Sequence, residues 1–190
     1  MPIDKLLELL RSDMAPLDAW SRVLALCEAT QPCELWRQLP PVDVEGDAER
    51  ARAWLAESLR GVRGPVGLYL GLDTLNMQDG GGTNLELGWN VACDTASDDI
   101  DWVFERLERG PTTLIRGLAD LRAEYSQARW RSAFGMADYI LFLAYSGLVL
   151  AQALRRLERD DPMLAAWGLH DGDLFALCRS APGTFQMICR

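Results

Sequence analysis

Apolar residues return every three or four positions at the start of the chain: Ile3, Leu6, Leu7 and Leu10, then Leu17, Trp20, Leu24 and Cys27 behind Pro16. That spacing predicts two amphipathic helices, because residues three and four apart share one helix face. Pro16 suits a first helical turn, where its missing N–H has no intrahelical partner to lose. Pro32 and Pro40-Pro41 close this helical entry. Asp47 then reads as the N-cap of a helix carrying Ala51, Trp54, Leu55 and Leu59 on one stripe and ending at Gly61 and Gly64.

The period next changes to two. Val66, Leu68, Leu70 and Leu72 alternate with Gly67, Tyr69, Gly71 and Asp73. After Gly80-Gly81-Gly82, Leu85, Leu87, Trp89 and Val91 alternate with Asn84, Glu86, Gly88 and Asn90. Successive strand residues face opposite sides, so the pattern predicts a β-hairpin with one apolar and one glycine-spaced polar face. Its connection from Asp73 to Gly82 is long for a tight turn and predicts a bulge or extended tip.

Further helical stripes follow. Asp98 is placed to cap Ile100, Val103, Phe104 and Leu107, stopped by Gly110-Pro111. Thr112 or Thr113 is placed to cap Leu114, Leu118, Leu121 and Tyr125. Met136 to Leu154 is mostly apolar, and Tyr139 to Leu154 carries no charge. A membrane span needs about 20 apolar residues. This run is shorter and passes into Arg155-Arg156, so it predicts a central helix buried on most sides. Leu174 to Arg179 and Thr184 to Cys189, around Ser180-Ala181-Pro182-Gly183, predict a second hairpin. Together these elements predict a single α+β domain over residues 1–190. Its architecture is a small antiparallel sheet of two hairpins packed on a layer of about six helices.

Composition narrows the functions such a domain can have. The 190 residues are 49% hydrophobic and 25% charged, which excludes a disordered chain. The net charge of −9 opposes direct nucleic-acid binding, where basic residues neutralise phosphates. Carboxylates cluster at Asp43, Glu45, Asp47 and Glu49, at Asp94, Asp98, Asp99 and Asp101, and at Glu158, Asp160 and Asp161. They suit helix starts and loops, or a field that draws in a basic partner. Cys27, Cys33, Cys93, Cys178 and Cys189 form no CxxC pair, and Met1 to Leu10 has no leader pattern. The expectation is a cytoplasmic protein with reduced thiols. With one histidine, a structural zinc site is not expected, and no cofactor is called for.

Two places carry candidate chemistry. On the glycine-spaced face, Tyr69, Asp73, Asn84, Glu86 and Asn90, extended by Asn76, Gln78 and Asp79 in the connection, form a partner-binding surface if that face is open. If a helix covers it, Gly67, Gly71 and Gly88 are packing devices instead. Asp79-Gly80-Gly81-Gly82 is a poor phosphate cradle, because a strand follows it and Asp79 has the wrong charge. The second place is His170-Asp171-Gly172-Asp173, either an ordinary turn or, with Asp73, Asp79 or Glu86, part of a metal-assisted hydrolase site. No GxSxG elbow is present. Trp36, Trp130 and Trp167 fall on no clear stripe, and an exposed tryptophan would be a candidate anchor for a protein partner.

The runs Gly67 to Asp73 and Trp167 to Asp173 resemble segments of the small bacterial immunity proteins that accompany polymorphic toxins. The resemblance implies a compact, acidic, cytosolic and non-enzymatic protein that blocks a cognate toxin by covering it. It carries over no residue role. Residues and resemblance together predict a protein-binding inhibitor of a basic toxin domain. A metal-assisted hydrolase and a structural or adaptor subunit stay open as alternatives.

Overall fold

The computed structural model describes residues 3–73, 84–125, 137–169 and 173–190. Helices α1 (Ile3–Arg11), α2 (Pro16–Thr30) and α3 (Val44–Ser58) precede strands β1 (Val66–Asp73) and β2 (Asn84–Asn90). Two short strands follow, β3 (Glu108–Arg109) and β4 (Thr113–Leu114), then helices α4 (Arg116–Tyr125) and α5 (Ala137–Arg155). Strands β5 (Met163–Leu169), β6 (Leu174–Ala181) and β7 (Thr184–Met187) end the described fold.

The two hairpins are halves of one seven-stranded sheet, ordered β3-β2-β1-β5-β6-β7, with β4 pairing β2 beside β3. β1 and β2 pair antiparallel as their alternation predicts, with Leu70 opposite Leu87 and Tyr69 opposite Gly88. The joint between the halves is the parallel pairing of β1 with β5, which places Leu70 beside Trp167. The expectation of a small sheet of two hairpins is corrected accordingly. About six helices are replaced, among the described residues, by five α-helices and two 3₁₀ turns.

β5 escaped the sequence pattern because every residue of Met163–Leu169 is buried. Met163, Ala165, Trp167 and Leu169 face the main core with the helices, while Leu164 and Ala166 enter a smaller core on the opposite face. A strand covered on both sides has no polar alternation to display. Trp36 and Trp167, not placed by periodicity, are both core residues, and Trp130 lies outside the described residues. α5 fills the middle of the helical layer with Leu141 through Ala151 all buried. No helix among the described residues is long and apolar enough to cross a membrane.

Three helix starts differ from expectation. In place of a helix capped by Thr112 or Thr113, Thr113–Leu114 pairs with β2 as β4, and α4 begins only at Arg116. α3 is capped by Asp43, whose Oδ1 accepts the Gly46 N–H at 2.9 Å, and Asp47 is instead buried inside the helical layer. The stripe behind Asp98 is only a 3₁₀ turn, Asp101–Phe104. Just before it, Asp94, Ser97 and Asp99 accept the backbone N–H groups of Ala96, Asp99 and Asp101. Such local side-chain bonds compete with helical ones and hold the segment as turns.

Candidate functional site

The glycine-spaced face of β1 and β2 is where the structure departs most usefully from a plain sheet. Its lower end is closed. A Cβ placed on Gly67 would lie 2.9 Å from Cys93 Cβ and from two carbons of the Trp102 ring, so glycine is needed for this cover to seat. Cys93, Trp102 and Val103 form the smaller core there with Tyr69, Leu164 and Ala166. The cover is a looped segment with one 3₁₀ turn, and among the described residues no α-helix contributes to this core.

Higher on the face the cover lifts away and leaves a cleft of about 450 Å³. Tyr69, Gly88, Leu107 and Leu174 line it, along with Val103 and Leu87. Charged groups sit around them: Glu86, Glu105, Arg106 and Arg109. Gly71 lies beneath the Tyr69 phenol and Gly88 beneath the Leu107 side chain, whose Cδ1 would be 2.9 Å from an added Cβ. These two glycines let large side chains lie flat against the strands, which sets the depth of the cleft. Phe104 stands at the edge, 78% exposed, the most exposed large hydrophobic side chain among the described residues.

The expected partner-binding residues divide sharply here. Tyr69 and Glu86 line the cleft. Asn84 pairs with Asp73 and Leu114 at the strand end. Asn90 is only 8% exposed; its amide donates to Glu105 Oε2 at 3.2 Å and its Oδ1 accepts the Ala92 N–H at 2.8 Å. That side chain fastens the turn after β2 and faces the cover, so it does not present a polar surface. Asp73 closes β1 by its backbone, and Asn76, Gln78 and Asp79 lie outside the described residues, as do His170 and Asp171. Phe104, Arg106, Leu107 and Arg109 were read as helix stripe or spacer. The one signal for a different path was the stop at Gly110-Pro111.

The acidic run beside the cleft is partly neutralised. Asp98 pairs with Arg179 and, at 2.7 Å, with Arg190. Trp89 Nε1 donates to Glu108 Oε2 at 3.0 Å, so this carboxylate also has a neutral partner. Val91, expected on the apolar face with Trp89, lies beyond the strand and is exposed.

The four buried thiols are poor nucleophiles. Burial pushes Cys93 up to about 11, reinforced by the carboxylates of Asp94, Glu105 and Asp99. Burial likewise pushes Cys27 and Cys189 up to about 11 and raises Cys178 further. At pH 8 the thiolate fraction of Cys27, Cys93 and Cys189 is on the order of one in a thousand, and that of Cys178 is lower still. Iodoacetamide on the native protein is therefore expected to modify Cys33 first, the one thiol that is not buried. Mass spectrometry should find the other four labelled only after denaturation. Among the described residues no three His, Cys, Asp or Glu side chains gather as a metal site.

No protein-family model, curated protein or solved structure matches this chain.

Proposed function

We propose that this chain is a protein-binding inhibitor of the immunity type, which covers a cognate toxin with the β1–β2 face and the segment from Val91 to Leu114. The observation that carries this reading is Phe104, exposed at the edge of a cleft whose floor is apolar and whose surround is charged. Binding hot spots have this form: an aromatic anchor, a nearby pocket and a polar rim. A net charge of −9 supplies long-range attraction for a basic partner and speeds its arrival. The fit at the cleft then sets how long the partner stays.

The product of the adjoining reading frame is the partner to test by isothermal titration calorimetry. Phe104→Ala is expected to weaken binding about 30-fold, the loss of one hot-spot residue. The thermal midpoint should barely move, because the side chain lies mostly in solvent. Unchanged affinity within twofold, or no binding by that product, counts against the proposal.

A further inference from the structure

We propose that the outer edge of β7 pairs with β7 of a second copy of this chain, antiparallel and across a two-fold axis. The two sheets then continue as one. This edge lies at the far end of the sheet from β2 and the cleft, so the inference is independent of the reading of the cleft.

The two ends of the sheet are built differently. The β2 end is blunted by strands of two residues, one of them the exposed charged pair Glu108–Arg109. At the other end, among the described residues, β7 pairs only with β6. The Ile188 N–H donates to the Leu177 carbonyl at 2.9 Å, which fixes the parity of the ladder. Thr184 and Gln186 therefore turn their backbone groups to β6, and Phe185 and Met187 turn theirs outward. Neither Phe185 nor Met187 makes a backbone bond outside the ladder among the described residues. From Ser180 to Cys189 the sequence carries no charge, and its one proline, Pro182, lies in the turn before the strand. Charge and proline are the common guards of a sheet edge, and β7 has neither.

A second copy matches this edge in hydrogen bonding and in charge. Antiparallel pairing centred on Gln186 sets Phe185 opposite Met187 of the second copy, and Met187 opposite its Phe185. Each outward N–H then meets a carbonyl. Both strands are already ordered by β6, so pairing costs little conformational freedom. The net charge of −9 on each copy would oppose most contacts between them, yet this seam is neutral on both sides. Arg179, the β6 partner of Gln186, is already paired with Asp98. With four residues, β7 offers a small seam, so the dimer is expected to be weak and concentration-dependent.

The test is sedimentation velocity of the full chain from about 5 to 500 μM, the range in which small interfaces associate. A monomer–dimer equilibrium is expected. Gln186→Glu and Gln186→Lys each set like charges directly opposite at the centre of the seam, and each should weaken association about tenfold. The Gln186 side chain is exposed, so neither change should move the thermal midpoint. Mixing the two variants should restore the dimer, with native mass spectrometry finding the mixed species in excess over either homodimer. A chain that stays monomeric throughout overturns the proposal, as do dimers that both variants leave unchanged. A mixture no more associated than either variant alone overturns it too, because mixing relieves only a charge conflict across the seam.

Discussion

Asp47→Ala is expected to lower the unfolding free energy by about 2–5 kcal/mol, the cost of leaving the buried donors that this carboxylate accepts from without a partner. The carboxylate is 3% exposed and joins three helices. Its Oδ1 accepts from Arg50 Nη2 at 2.6 Å and from the Arg116 N–H at 3.2 Å. Its Oδ2 accepts from the Gly117 N–H at 2.8 Å and from the Tyr145 hydroxyl at 2.9 Å. Asp47 thus caps α4 from α3, with its negative charge at the positive end of the α4 dipole. Alanine would leave the Tyr145 hydroxyl and a helix N–H buried without a partner, each worth about 1–3 kcal/mol. The Arg50 contact adds little, because that side chain is partly in water. Urea unfolding with an unchanged slope measures the loss, and a value under about 1 kcal/mol would refute this role.

The same cluster sets a direction at alkaline pH. Burial, then the Asp47 carboxylate, holds the Tyr145 hydroxyl well above its usual value of 10.0. The unfolded chain releases this proton near that usual value while the folded chain keeps it. The stability from this group is therefore full below about pH 10 and declines as pH rises further. In Tyr145→Phe that part of the pH dependence should flatten.

Trp167→Ala is expected to cost about 3–5 kcal/mol, the usual range for emptying a large aromatic site in a core. Trp167 is fully buried in β5 and packs on Phe175 with ring centroids 5.5 Å apart. Its indole N–H donates to Ser146 Oγ at 3.0 Å, and that hydroxyl donates on to the Leu143 carbonyl at 3.1 Å. The ring reaches α5 because Gly147 has no side chain. A Cβ there would lie 2.8 Å from Trp167 Cζ2. Trp167→Phe keeps most of the volume and loses the Ser146 bond, so a smaller effect, nearer 1–2 kcal/mol, separates packing from hydrogen bonding. Thermal and urea unfolding of both variants measure the difference. Equal effects would show that the bond, and not the filled space, dominates.

These positions also show what a pattern along the chain can reveal. The helices α1, α2 and α5 and the β1–β2 and β6–β7 hairpins were legible, because each has one neighbour-facing side and a period that repeats within a few residues. The capping role of Asp47 was not. Its place four residues after Asp43 reads as a helix start, while its partners lie 69, 70 and 98 residues away. Trp167 was unplaced for a related reason: a strand buried on both faces looks like any short apolar run. At the candidate site, Tyr69 and Glu86 were found by alternation. Phe104, Arg106 and Arg109 were not, because their exposure depends on how the segment from Val91 to Leu114 crosses Gly67 and Gly88.

By itself, the sequence determined the α+β composition, the acidic charge, the apolar face of the first hairpin and a central helix in the apolar run from Met136 to Leu154. Those properties follow from side-chain chemistry and short-range periodicity, which no distant residue alters. Only the tertiary structure decided that β5 joins both hairpins into one sheet and that the glycine-spaced face is closed at one end and cleft at the other. The physical reason is steric. Gly67, Gly71 and Gly88 permit a close approach, but which side chains make it depends on how the segment from Val91 to Leu114 returns across the sheet. That return path is fixed by packing on Trp102 and by pairing with β2, contacts made only once the chain has folded.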